Sequence, residues 1–285
     1  MRVCVLGSTG MLGIALSKEV IRRGAEYVGV ARRNASVCFD VSDDAALSDF
    51  LRRERFDVII NTVAIIDHAA CEAQPGLAYM VNSRPSSIIV NAIRRCYFVQ
   101  ISTDGYFTGD GSQKHNESSR VVLLNEYART KFAAEMFALG SSESLVVRTN
   151  IVGFRNNKKA TFVEWVVNSC KHEDHITLFD DYFVSSISVS LFSKALLDLI
   201  EKKTYGMINL ASSEVFSKAE FIRTLVEVFG LCLKNITTGS VKKLPFHRAE
   251  SLGLDVSRAE KILKYRLPTL NDVILNLKDE YFALQ

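Results

Sequence analysis

The chain has 285 residues, 48% of them hydrophobic, enough to bury one large core or two smaller ones, which excludes a disordered polypeptide. Its 35 basic and 32 acidic residues nearly balance, and the basic pairs Arg22-Arg23, Arg32-Arg33, Arg52-Arg53, Arg94-Arg95 and Lys242-Lys243 lack aromatic interleaving, so no nucleic-acid partner is expected. Six scattered cysteines without a CxxC pair read as reduced thiols, not disulfides or metal ligands, and no apolar run approaches the ~20 residues of a membrane span, so a cytoplasmic protein without a membrane partner is expected.

"RVCVLG" (2 to 7) reads as a first strand that runs into "GSTGMLG", where Gly7, Gly10 and Gly13 precede an amphipathic helix over 11 to 23. Glycines let the turn adopt unusual dihedrals and bring the backbone close to a diphosphate, while the helix N-terminus offers free N–H groups. After a first strand this pattern predicts a dinucleotide site that includes Thr9, Met11 and Leu12; alone it would be a structural turn. A second strand, "EYVGVA" (26 to 31), ends in Arg32 and Arg33 instead of the carboxylate that binds an NAD ribose, which favours NADPH and leaves NADH possible. In "CFDVSD", Asp40 and Val41 follow as candidate cofactor contacts, with Asp40 also able to cap a helix beginning near Ser42.

A helix is expected over 43 to 54, a strand over 57 to 64 ("DVIINTVA"), a helix over 76 to 95 and a strand over 97 to 103 ("YFVQIST"). Next come a helix over 125 to 139 and a strand, "SLVVRTN" (144 to 150). Near-continuous apolar strands alternating with helices predict an α/β fold, a Rossmann-type doubly wound parallel sheet over residues 1 to 150. Residues 151 to 285 are expected to form mainly a smaller C-terminal substrate-binding lobe, with the helix of Trp165, a strand at "HITLFDD", and helices near 189 to 202 and over "SKAEFIRTLVEVFG". The strand over 206 to 211 is free to return to the main sheet. His172 and His175 in "KHEDHI" read as part of a charged turn, and no metal site is expected.

In "NEYARTKFAAE", Tyr127 and Lys131 stand four apart, neighbours on one helical face. A phenol with a pKa of about 10 needs a nearby cation to serve as an acid at neutral pH. Ligands gather at the carboxyl ends of strands in such sheets, so Ser102 and Thr103 are expected beside the nicotinamide. A hydroxyl that binds a carbonyl, a Tyr that protonates it and a Lys that tunes the Tyr suffice for hydride transfer to a ketone.

"GSTGMLG", "DVIINTVA", "ISTDGYFTG", "NEYARTKFAAE" and "VVRTNIVG", in this order, resemble the extended short-chain dehydrogenase/reductases, in particular the dTDP-4-dehydrorhamnose reductase branch. "GMINLASSEVFSKAEF" and "HRAESLGLD" extend the likeness over nearly the whole chain. The resemblance implies that Gly7, Gly10 and Gly13 hold a diphosphate and that Asn61, Val63 and Ala64 line the cofactor. It implies Thr103, Tyr127 and Lys131 as catalytic, with Lys131 also on the nicotinamide ribose, and Asp104, Asn150 and Arg248 as contacts of a nucleoside-diphosphate sugar. Lys158 and Lys159 could meet the same diphosphate by position, and a homodimer through helices 76 to 95 and 125 to 139 is in keeping with the superfamily. Gly105 in place of the Tyr after Asp104, Ala128 for Gly, Ile151 for Trp and Ala249 for Pro depart from the branch, so a substrate other than dTDP-4-dehydrorhamnose is expected. The activity implied is NADPH-dependent reduction at carbon 4 of a 6-deoxyhexulose. The alternatives are a 4-epimerase or dehydratase that recycles its cofactor, and a non-catalytic subunit like the regulatory subunit of methionine adenosyltransferase.

Overall fold

The structure, a computed structural model, describes residues 1–93, 96–155, 160–243 and 249–284. Its elements begin with β1 (Arg2–Leu6), α1 (Met11–Arg22), β2 (Glu26–Ala31), β3 (Val37–Cys38), α2 (Asp44–Arg53) and β4 (Val58–Asn61). Then come α3 (His68–Ala73), α4 (Pro75–Asn82), α5 (Arg84–Ala92), β5 (Tyr97–Ile101), α6 (Glu126–Leu139) and β6 (Ser144–Arg148). The chain continues through β7 (Ile151–Val152), α7 (Phe162–His172), β8 (Ile176–Phe179), β9 (Phe183–Val184), β10 (Ile187–Ser188), α8 (Val189–Glu201) and β11 (Gly206–Asn209). It ends with β12 (Phe216–Ser217), α9 (Lys218–Phe229), β13 (Ile236–Gly239), β14 (Ser251–Leu252), α10 (Ser257–Leu263) and α11 (Leu270–Ala283).

Among the described residues the largest sheet has seven strands in the order β11-β6-β5-β4-β1-β2-β3. The pairs from β3 to β6 are parallel, and these six strands give the doubly wound order in which the topology reverses beside β1. Strands buried on both faces explain the unbroken apolar runs: Leu6, Val30, Ile59, Phe98 and Val146 meet Leu47 of α2 and Ile89 of α5 in one core.

Two expectations change. The helix expected over 76 to 95 is two helices, because Pro85 opens α5 and the chain turns at Ser83; the last two residues of that span, Arg94 and Arg95, lie outside the described residues. A division at residue 150 also does not hold. The contacts cluster into one unit of Met1–Thr103, Leu123–Arg148 and Ser193–Ile208 and another of Asp104–Val122, Thr149–Phe192 and Asn209–Gln285. The strand over 206 to 209 does join the main sheet, beside β6. The end of α8 is held in the first unit by Arg23, whose guanidinium donates to Asp198 (2.7 Å) and Glu201 (2.8 Å) as well as to Glu19.

In the second unit the loop 104–122 is bound through distant partners: His115 N–H donates to Gly253 O (2.8 Å), and the Thr108 hydroxyl and Gly109 N–H donate to Glu250. The short strand pairs β7–β10 and β8–β13 and the three-stranded sheet β12–β9–β14 support α9 and α11. A reciprocal Thr161–Glu164 capping box starts α7, which ends at Glu173 in a left-handed conformation between His172 and His175, so the two imidazoles do not share a helical face.

Candidate active site

The glycine turn fits a diphosphate. Gly7 has φ +86°, and a Cβ there would stand 2.5 Å from Thr62 Oγ1; at Gly13 it would stand 2.3 Å from Gly7 O. The N–H groups of Gly7 and Ser8 both donate to Val30 O, fixing the turn against β2. Gly10 stands at the N-cap of α1, where no side chain caps the helix and the first turn holds no acid, so the helix N-terminus, with Met11 and Leu12 in its first turn, presents unneutralised N–H groups. Thr9 sits in the turn itself, and Arg32 and Arg33 stand exposed just beyond β2.

Other expected cofactor contacts look inward. Asn61 is fully buried; its amide donates to Gln100 Oε1 (2.9 Å) and its oxygen accepts from Val63 N–H, so it braces β4 against β5. The Val41 side chain belongs to the core, whereas Val63 and Ala64 remain partly accessible. Asp40 does not cap a helix: Asp43 does, accepting from Ala45 and Ala46, while Asp40 accepts from the Ser42 N–H and hydroxyl, bonds that hold its carboxyl below the usual range.

Helix α6 is built to hold Tyr127 and Lys131. Asn125 caps it by accepting from Ala128 N–H (2.9 Å), and Ser83 and Asn82 bond the Thr130 carbonyl and hydroxyl, clamping the turn between the two residues. Ala128 is fully buried, so the methyl that departs from the branch's glycine enters packing, not surface. Lys131 is 3% exposed, and its Nζ donates to Ile101 O (2.7 Å), the last residue of β5 before Ser102 and Thr103. Burial pushes its ammonium down to about 8, opposed by the charge of Glu135. The Tyr127 ring stacks on His68 with centroids 4.9 Å apart, a neighbour that no local sequence signal marks.

Ser102 and Thr103 are both buried, but the expectation that both hydroxyls project beside the nicotinamide needs revision. Ser102 donates instead to Glu135 Oε1 (2.6 Å). Glu135, fully buried, also takes Arg148 Nε (3.0 Å) and Nη2 (2.8 Å) in a two-pronged ion pair.

In the second unit, the Asn150 amide donates to Asp104 Oδ2 (2.7 Å) and its oxygen accepts from the Ser186 hydroxyl (2.7 Å). Lys218, the first residue of α9 and not singled out by the sequence, lies with its ammonium 4.1 Å from the Phe162 ring centroid and is pushed down to about 8 by burial, with Asp104 opposing. Lys158, Lys159 and Arg248 lie outside the described residues.

A glycine-turned Rossmann sheet with Thr103 at a strand end and a Tyr-x-x-x-Lys pair on the following helix defines an extended short-chain dehydrogenase/reductase. Residues 1–281 match the family model described as RmlD substrate binding domain, and the chain belongs to that family, a family of sugar-nucleotide reductases. It is 25% identical to the "Probable low-salt glycan biosynthesis reductase Agl14" of Haloferax volcanii, over 96% of each chain. It is 31% identical to a hypothetical dTDP-4-dehydrorhamnose reductase from Sulfolobus tokodaii, whose crystal structure superposes with a TM-score of 0.83 over 94% of this chain and 97% of that one. The dTDP-4-dehydrorhamnose reductase of Bacillus anthracis, solved in complex with NADP, shares the fold with a TM-score of 0.88 at 20% identity, over 98% and 99% of the chains. Among the described residues no helix is long and apolar enough to cross a membrane.

Proposed function

We propose that this protein reduces a keto group, at carbon 4, of a nucleoside-diphosphate 6-deoxyhexulose with NADPH. It is an NAD(P)-dependent oxidoreductase. The observation that carries this reading is the buried Lys131 ammonium, anchored on Ile101 O at the end of β5 and one helical turn from Tyr127. Gly7, Thr9, Gly10, Met11, Leu12 and Gly13 hold the cofactor diphosphate, Arg32 and Arg33 meet a 2′-phosphate, and Val63 and Ala64 line the ring side. NADH is the weaker alternative. When bound, the reduced nicotinamide supplies the hydride.

The Thr103 hydroxyl donates to the sugar carbonyl and orients it. Tyr127 delivers its proton to the carbonyl oxygen as negative charge develops there. Lys131, kept cationic, lowers the energy of the phenolate left behind, and Asp104, Asn150, Lys158 and Arg248 meet the sugar nucleotide. Exposed Leu77 and Met80 on α4 and Met136 on α6 support pairing of two copies of the chain. The protein is proposed to work in the cytoplasm.

A thermal-shift panel of dTDP-, UDP-, GDP- and CDP-sugars with NADPH identifies the nucleotide, since a ligand bound only by the folded state raises its stability. Net NADPH oxidation on the matching keto-sugar is the expected result. Turnover without net oxidation would point to an epimerase or dehydratase instead, and NADPH binding without any turnover to a regulatory subunit.

A further inference from the structure

The carboxylate of Glu135 joins three parts of the first unit. Through Oε1 it accepts from Ser102, the residue between Ile101 and Thr103; through both oxygens it holds Arg148 at the end of β6; and it stands one turn beyond Lys131 on α6. Glu135 is fully buried, and Ser102, Lys131 and Arg148 are each at most 5% exposed, so water does not screen these charges. A buried pair of this kind is replaceable by apolar residues at little or no loss of stability, so stability alone gives no reason for it to be ionic.

We propose that Glu135 is a positioning residue for reduction: it ties the strand end that carries Thr103 to the helix that carries Tyr127 and Lys131, and supplies a buried negative charge one helical turn from Lys131. This rests on the reading of Thr103, Tyr127 and Lys131 as the reducing residues.

The other groups around Lys131 do not duplicate that charge. Tyr127 shares its helix, and Arg148 on β6 is a cation already engaged by Glu135. From α3, His68 lies against Tyr127, and Glu72 accepts the Glu126 N–H at the start of α6. Arg84 of α5 is tied to Asp44 on α2. Glu135 is the group whose charge offsets the desolvation of Lys131.

The test compares the native chain with Glu135→Gln and with the double variant Glu135→Leu/Arg148→Met, which removes the carboxylate without leaving a lone buried cation. The midpoint of Lys131 is read by NMR of lysine labelled at the ε-carbon, its signal assigned by its loss in Lys131→Met. Turnover is read with NADPH and dTDP-4-dehydrorhamnose as the probe ketone. The expected result is a Lys131 midpoint below the native value of about 8 in both variants and a turnover reduced tenfold or more, even where the double variant melts at the native temperature. A double variant with native midpoint and native turnover would make Glu135 a structural residue only and overturn the proposal. If Glu135→Gln does not fold, the double variant decides alone. If the native chain reduces neither this probe nor any other keto-sugar nucleotide, the reading of its function fails, while the Lys131 midpoint still decides the role of Glu135.

Discussion

The two units hold their polar groups in different ways. In the first, Ser102, Glu135 and Arg148 close on one another in the interior, and Lys131 is fixed beside them on a backbone carbonyl, carried on α6, β6 and the chain that leaves β5. In the second, Asp104, Asn150 and Ser186 form a chain through loop and strand-end residues, and Lys218 rests on an aromatic ring. On the proposed reading, Tyr127 and Lys131, which any substrate would need, sit on a regular helix whose tethers are internal. The residues proposed to meet the sugar sit where a single substitution alters a surface without unfolding a sheet.

Variants can break this contrast. Tyr127→Phe removes the proton donor and is expected to lower turnover by roughly 10²- to 10⁴-fold with the fold intact, measured as NADPH oxidation. Arg148→Met alone leaves Glu135 buried without its ion-pair partner and is expected to destabilise by about 3–5 kcal/mol in chemical denaturation. No single change in the chain Asp104–Asn150–Ser186 should match it. Gly7→Ala, strained at φ +86° and driven against Thr62 Oγ1, is expected to weaken NADPH binding by tenfold or more in fluorescence titration.

Lys131→Met should abolish reduction yet stabilise the fold, by on the order of 1 kcal/mol at neutral pH, because the desolvation of the ammonium outweighs its bond to Ile101 O. The sign follows from the lowered folded value. As pH rises from about 8 toward the unfolded value of 10.5, the native chain sheds its proton before the unfolded chain does, so the native protein gains stability and the difference from Lys131→Met narrows. Turnover of the native enzyme should fall over the same rise, as the cation beside Tyr127 is lost. The smallest effect is expected in the second unit: Lys218→Met should change melting by no more than about 1 kcal/mol while shifting preference among sugar nucleotides in the panel.

What could be read from sequence follows the same contrast. Gly7, Gly10, Gly13, Tyr127 and Lys131 are legible because each depends on a local spacing, a turn or one helical face, and the sheet order follows from strand and helix alternation. The break at Ser83 lay in the sequence as Pro85, but the apolar periodicity running across it masked the turn. Ser102 is expected at a ligand because it lies at a strand end, and Asn61 because the family resemblance implies it; their inward hydrogen bonds to Glu135 and Gln100 depend on which strand pairs with which. The segment 104–122 joins the second unit through Glu250 and Gly253, and Lys218 meets Phe162, partners too distant in sequence for periodicity to reveal.

The central claim, that Tyr127 and Lys131 serve hydride transfer to carbon 4 of a keto-sugar nucleotide, is tested most directly with NADPH deuterated at the transferring position of nicotinamide carbon 4. One deuterium at sugar carbon 4 of the product is expected from the native enzyme, and no more than about a hundredth of that product from Tyr127→Phe over the same time. Deuterium found elsewhere in the sugar, or product formed equally by Tyr127→Phe, would contradict it.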